Sequence, residues 1–162
     1  MKIRLFLVLL AVSTMFGCGA HTARFYPVQG PLSAQTPAPV LIAKISGTFT
    51  PGDIFVTMPD GEVCKGRWTI VKPAQAPKGA ATANAPTNAM QPVWDNIYGP
   101  GYYVSHVLGT QYYAQTVVTG NRGTTMNVEM FSQPGERDGS PRIKGVAKDN
   151  RDNIYKLVVG WE

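Results

Sequence analysis

The sequence predicts an all-β fold, a single antiparallel sheet of about 6–8 strands curled into a small barrel or sandwich. Three observations lead there. Glycine (17) and proline (13) are plentiful while only 15% of the 162 residues are charged. Short runs of β-branched and aromatic residues alternate with polar ones at a period of two. Turn-forming clusters such as Pro59-Asp60-Gly61 and Gly120-Asn121-Arg122-Gly123 separate the runs.

The elements follow in order. A first strand is expected at about 40–49, where Leu41, Ala43 and Ile45 share one face and Ile42, Lys44 and Ser46 the other. Pro51-Gly52-Asp53 breaks it. Ile54–Met58 and Val63–Val71 make the clearest hairpin, because proline presets φ for a turn and Gly61 takes the left-handed position that closes it. On its second arm Cys64, Gly66, Trp68 and Ile70 point one way, and Lys65, Arg67 and Thr69 the other. Residues 73–92, rich in Ala, Pro, Asn and Thr, read as a low-complexity loop. Val93/Ile97 and Trp94/Tyr98 are spaced as a short helix at 93–98 would space them, and Gly99-Pro100-Gly101 ends it. Tyr102–Leu108 fits either a strand or a helical turn. The alternation returns at Gln111–Thr119 and Thr124–Ser132, and a last hairpin joins Arg142–Lys148 to Ile154–Trp161. Gly66 and Gly145, on inward faces, mark close backbone approach in a curled sheet. The segments around them (Cys64-Lys65-Gly66-Arg67-Trp68 and Ile143-Lys144-Gly145-Val146-Ala147) echo each other faintly, as two copies of a β-meander would.

The start of the chain is of another kind. Lys2 and Arg4 precede a run of about twelve uncharged, mostly apolar residues, Leu5–Phe16. A membrane-spanning helix needs about twenty residues, so this run suits a secretion signal. It ends in Gly17-Cys18-Gly19-Ala20, which resembles the bacterial lipobox, whose cysteine is acylated after cleavage. That resemblance implies a signal peptide over 1–17 and a lipid on Cys18. With Gly19 rather than aspartate after the cysteine, it implies the outer membrane ahead of the inner one. Cleavage after Ala20 by the ordinary signal peptidase is the alternative, and it would release a soluble secreted or periplasmic protein. Residues 18–39, with Pro27, Pro31, Pro37 and Pro39 among Gln, Ser, Thr and Ala, are expected to form a flexible tether. Residues 40–162 then make one β domain.

Composition narrows function mainly by exclusion. The signal carries Lys2 and Arg4, so 13 of the 15 basic side chains remain against 10 acidic ones, and the mature charge falls from +5 to +3. No continuous basic stripe remains, which argues against nucleic acid. His106 is the one histidine in the predicted domain, no serine lies in a nucleophile-elbow pattern, and Cys64 faces the expected core. A non-enzyme is expected, with no cofactor and no metal. Asp149-Asn150-Arg151-Asp152-Asn153 is oxygen-rich, but Asp and Asn crowd hairpin turns because they hydrogen-bond locally. The one feature suggesting recognition is aromatic: Trp94, Tyr98, Tyr102, Tyr103, Tyr112 and Tyr113 fall within twenty residues. Exposed, they would suit a protein or glycan of the envelope; buried, they fill the core. Taken whole, Gly17-Cys18, the Pro59-Asp60-Gly61-Glu62…Gly66-Arg67-Trp68 hairpin and the Gly145…Asp149…Asn153-Ile154-Tyr155 ending resemble the small, uncharacterised β-rich lipoproteins of Gram-negative bacteria. The resemblance implies a membrane-anchored envelope module that binds another envelope component. Its alternatives are an enzyme acting on envelope polymers and an accessory of a secretion or surface assembly.

Overall fold

Eight antiparallel strands run in sequence order and close on themselves as a barrel. The computed structural model describes residues 20–47, 51–71, 89–108, 113–133 and 142–160, without the side chains of Gln133 and Arg142. The strands are β1 (Ala20–Gln29), β2 (Leu41–Ser46), β3 (Gly52–Thr57), β4 (Val63–Val71), β5 (Tyr113–Gly120), β6 (Thr125–Gln133), β7 (Arg142–Asp149) and β8 (Ile154–Gly160). Among the described residues between β4 and β5 lie an α-helix, α1 (Gln91–Tyr98), and a π-helical turn, Tyr103–Val107. The all-β barrel with a short helix is therefore as the alternation foretold. Most of the expected loop at 73–92 and all of Tyr112 fall outside the described residues.

The interior is apolar. Ala23 and Phe25 of β1, Leu41, Ala43 and Ile45 of β2, Ile54 and Val56 of β3, Cys64 and Trp68 of β4, and matching residues of β5–β8 form one core. Across β1–β4 the outward positions mix Arg24, Lys44, Lys65 and Arg67 with exposed Ile42 and Phe55. Apolar inside and partly charged outside is the polarity of a barrel wetted by water, the inverse of a lipid-facing one. Among the described residues no helix is long and apolar enough to cross a membrane.

The first strand corrects the tether expected at 18–39. Residues 20–29 pair with β2 from Ala20↔Ser46 to Phe25↔Leu41 and with β8 from Thr22↔Gly160 onward. Ala23 and Phe25 point inward between exposed Arg24 and Tyr26, an alternation that the neighbouring prolines obscure. Pro27 has no N–H to give the ladder, and the register shifts between it and Gln29. A second, smaller correction concerns Ile70, which is 39% exposed at the end of β4 where Cys64 and Trp68 are buried.

Gly66 and Gly145 do mark close approaches. A Cβ on Gly66 would lie 2.6 Å from the Val117 carbonyl oxygen, and one on Gly145 would lie 2.6 Å from that of Glu129. Beside Gly66 the β4–β5 ladder is bridged by the Thr116 hydroxyl, which donates to the Arg67 carbonyl at 3.0 Å. The faint echo around these glycines falls on β4 and β7, which run in opposite directions in the meander.

The β1–β2, β3–β4, β5–β6 and β7–β8 turns gather at one end of the barrel under a polar cap. Glu62, with a fully buried side chain, accepts from the Thr124 hydroxyl (2.6 Å) and from the Arg122 (2.6 Å) and Thr124 (3.3 Å) amides. Arg151 stands 3.8 Å from it. Asp149 accepts from the Arg151 and Asn153 amides, the Asn153 side chain and the Tyr155 hydroxyl, so the oxygen-rich loop is a self-satisfied turn. Asn153 also accepts from the Leu32 amide at 2.8 Å, which ties in the β1–β2 connection.

The Thr124 hydroxyl bond holds the Glu62 carboxyl below its ordinary value of 4.5, helped by the two amides and opposed by burial and by Asp60. A carboxyl with a lowered folded-state pKa stabilises the fold above its unfolded value, and that contribution fades as pH falls below it. Thermal melts of Glu62→Gln should therefore lie below wild type at neutral pH and converge towards it as pH drops from 6 to 3. Parallel curves over that range would count against this role.

Candidate functional site

The aromatic segment folds back onto the outside of the barrel wall. Met90, at the helix N-cap, and Val93 and Trp94 of α1, with Tyr103 and Val107 of the π-helical turn, pack on Tyr113 of β5, Phe131 of β6, Val146 of β7 and Ile154 of β8. This second core explains a pattern within the strands. Tyr113/Ala114, Met130/Phe131, Val146/Ala147 and Ile154/Tyr155 are adjacent buried pairs, so β5–β8 are covered on both faces there. No adjacent pair is buried in β1–β4, although Leu41-Ile42 and Ile54-Phe55-Val56 are apolar neighbours there, so burial and not sequence marks the docking wall.

Trp94 is the hinge of the arrangement. Its ring is fully buried, and its indole N–H donates to the Glu129 carboxylate at 2.7 Å. Glu129, an outward residue of β6, is itself buried by the helix. Gly99 and Gly101, at φ of 109° and 78°, turn the chain after α1. The Asp95 carboxylate accepts from the Tyr103 amide at 3.0 Å and so caps the π-helical turn.

From Trp94 a column of rings leads outward. Tyr98 stacks on Trp94 at 5.6 Å between centroids, Tyr102 stacks on Tyr98 at 4.7 Å, and His106 tilts against Tyr102 at 4.6 Å. Tyr98 and Tyr102 are half-buried and His106 is exposed. Lys144 lies 5.9 Å from the centroids of both tyrosines, and Lys156 lies 5.5 Å from that of Tyr98. Burial, with Tyr102 adding to it, pushes the Tyr98 phenol up to about 12. It therefore stays protonated at neutral pH and donates to the Gly145 carbonyl at 3.3 Å.

The structure divides the expected binding surface. Trp94 (0% exposed) and Tyr103 (3%) belong to the docking core, as does Tyr113 (2%). They are withdrawn as contact residues because the barrel wall covers them. Tyr98 and Tyr102 remain at the surface edge, and Tyr112 lies outside the described residues. Sequence reasoning missed Lys144, Lys156 and His106 as their neighbours. The lysines sit on β7 and β8, far from the aromatics in sequence, and only the barrel brings them alongside.

Cys64 and His106 are not brought together. The thiol belongs to the barrel interior, where burial and then Glu62 push it up to about 11, whereas the imidazole stands on the outer wall. Compared with protein families, with curated proteins and with solved structures, the chain finds no match in any of the three.

Proposed function

We propose that the chain is a lipid-anchored, non-catalytic module of the bacterial envelope that grips another envelope protein through the Tyr98–Tyr102–His106 ridge. The observation that carries this reading is the ridge itself: stacked rings fixed on a rigid wall, flanked by Lys144 and Lys156. Rigidly held aromatic edges offer contact area at little conformational cost, and the lysines favour an acidic partner. Two further observations support a non-catalytic role. The Glu62, Asp149 and Asp95 carboxylates all serve turns or caps, and the one thiol among the described residues, Cys64, is enclosed. The anchor rests on the lipobox-like Gly17-Cys18 and implies the envelope, with the outer membrane as the expected address.

The test places a photo-crosslinking amino acid at His106 and, as a control, at Lys65 on the opposite wall in cells. A discrete adduct is expected from position 106 alone, and Lys144→Glu should weaken it several-fold. Identical adducts from both positions, or none from 106, would refute the ridge as the contact. The anchor is tested by the mass of the mature N-terminus: a diacyl- or triacyl-modified Cys18 is expected, and a free amine at His21 would exclude it.

A further inference from the structure

The start of β1 bears directly on how such an anchor would hold the barrel. Only Gly19 separates Cys18 from Ala20, and Ala20 is already in register with Ser46 of β2. Two residues further, Thr22 is in register with Gly160 of β8 as well. Two peptide units span at most about 7 Å when fully extended. An acylated Cys18 must lie at the bilayer surface, because its acyl chains occupy the hydrocarbon. The expected spacer is β1 itself and the connection to β2, which follow the first paired residue and cannot lift the barrel away.

Resting on the anchor reading, we propose that the barrel stands directly on the phospholipid headgroups with a fixed polarity. The rim at which β1 begins, marked by Ala20, Gly47, Pro51 and Gly160, faces the bilayer, and the capped hairpin end faces away. β1 leaves this rim and ends at Gln29, beside Ile154 and the β7–β8 turn, so the barrel's own height separates the two ends. Thr69, exposed on β4, pairs with Gln115 of β5, and Asn121, exposed, follows the end of that strand. With a rise of about 3.3 Å per residue and a strand tilt near 40°, Asn121 stands about 15 Å further from the rim than Thr69. The aromatic ridge, on the side wall, is then presented laterally along the membrane surface.

The test uses the full acylated protein, purified from membranes and reconstituted into phosphatidylethanolamine/phosphatidylglycerol vesicles. Single cysteines at Thr69→Cys or Asn121→Cys carry an environment-sensitive fluorophore. Cys64 is buried and escapes labelling, and Cys18 is blocked by its lipid. Lipids bearing a nitroxide on the headgroup should quench the probe at 69 strongly and the probe at 121 weakly. Inserting ten Gly/Ser residues between Gly19 and Ala20 should erase the difference by reducing quenching at 69 to the level at 121. Protein that floats with the vesicles but quenches equally at both positions, or more at 121, overturns the fixed polarity. So does an insertion that leaves the two probes as different as before. Protein that fails to float, with an unmodified N-terminus by mass, overturns the anchor itself and the inference with it.

Discussion

Trp94→Ala is expected to cost about 3–5 kcal/mol of stability, the range for truncating a fully buried large aromatic. The ring contacts Tyr98, Tyr102 and Phe131 at 5.6, 6.2 and 5.5 Å between centroids, and its N–H is a donor to the buried Glu129. Removing it opens a void between helix and wall and takes a hydrogen bond from a carboxylate in the same step. Trp94→Phe separates the two effects. It keeps most of the aromatic area and should lose about 1.5–3 kcal/mol, the usual worth of a hydrogen bond to a charged group. Urea denaturation of the three proteins checks both figures. If alanine cost no more than phenylalanine, the helix would not be docked through this ring. Both substitutions should also loosen the Tyr98–Tyr102 stack, so crosslinking at His106 should fall in step with stability.

Gly145→Val should reach or exceed the upper end of the 1–3 kcal/mol typical of overpacking. A Cβ at 145 would meet the Leu157 Cδ2 and the Glu129 carbonyl oxygen, each 2.6 Å away. The leucine can change rotamer, but the carbonyl belongs to the neighbouring strand and cannot yield without separating β6 from β7. Leu157→Ala in the Gly145→Ala background should accordingly recover less stability than a side-chain clash alone would predict. Full recovery, read as the urea midpoint of the double variant against Leu157→Ala alone, would mean that the backbone contact is harmless.

Most of the barrel was legible because a strand with one buried face writes its period into the sequence. β4 was bounded to the residue and the hairpin turn at Gly61 foreseen, with Met58 and Glu62 paired across it. β1 was not legible, because its alternation is short and is followed by Pro27, Pro31, Pro37 and Pro39. A local reading weighs those prolines as spacer, whereas the strand is held by β8, far away in sequence. The aromatic cluster was legible as a cluster but not as a surface. Whether Trp94 faces solvent depends on Phe131, Val146 and Ile154, which arrive from three different strands. The lysines beside Tyr98 were hidden for the same reason. Local chemistry names the rings, and only closure of the sheet decides which of them meet water.

That closure also sets an order in time. β1 is synthesised first, yet one of its two edges pairs with β8, the last strand of the meander. Until residues 154–160 are available, that edge of β1 and the outer edge of the growing sheet are open to pairing with other chains. Contacts this distant in sequence form late, because the intervening loop must first be closed at an entropic cost. The period of greatest risk for this protein is therefore the interval between its first strand and its last. Conditions that shorten the interval, or guard the edge of β1 while it waits, should govern the yield of closed barrels more than the final stability does.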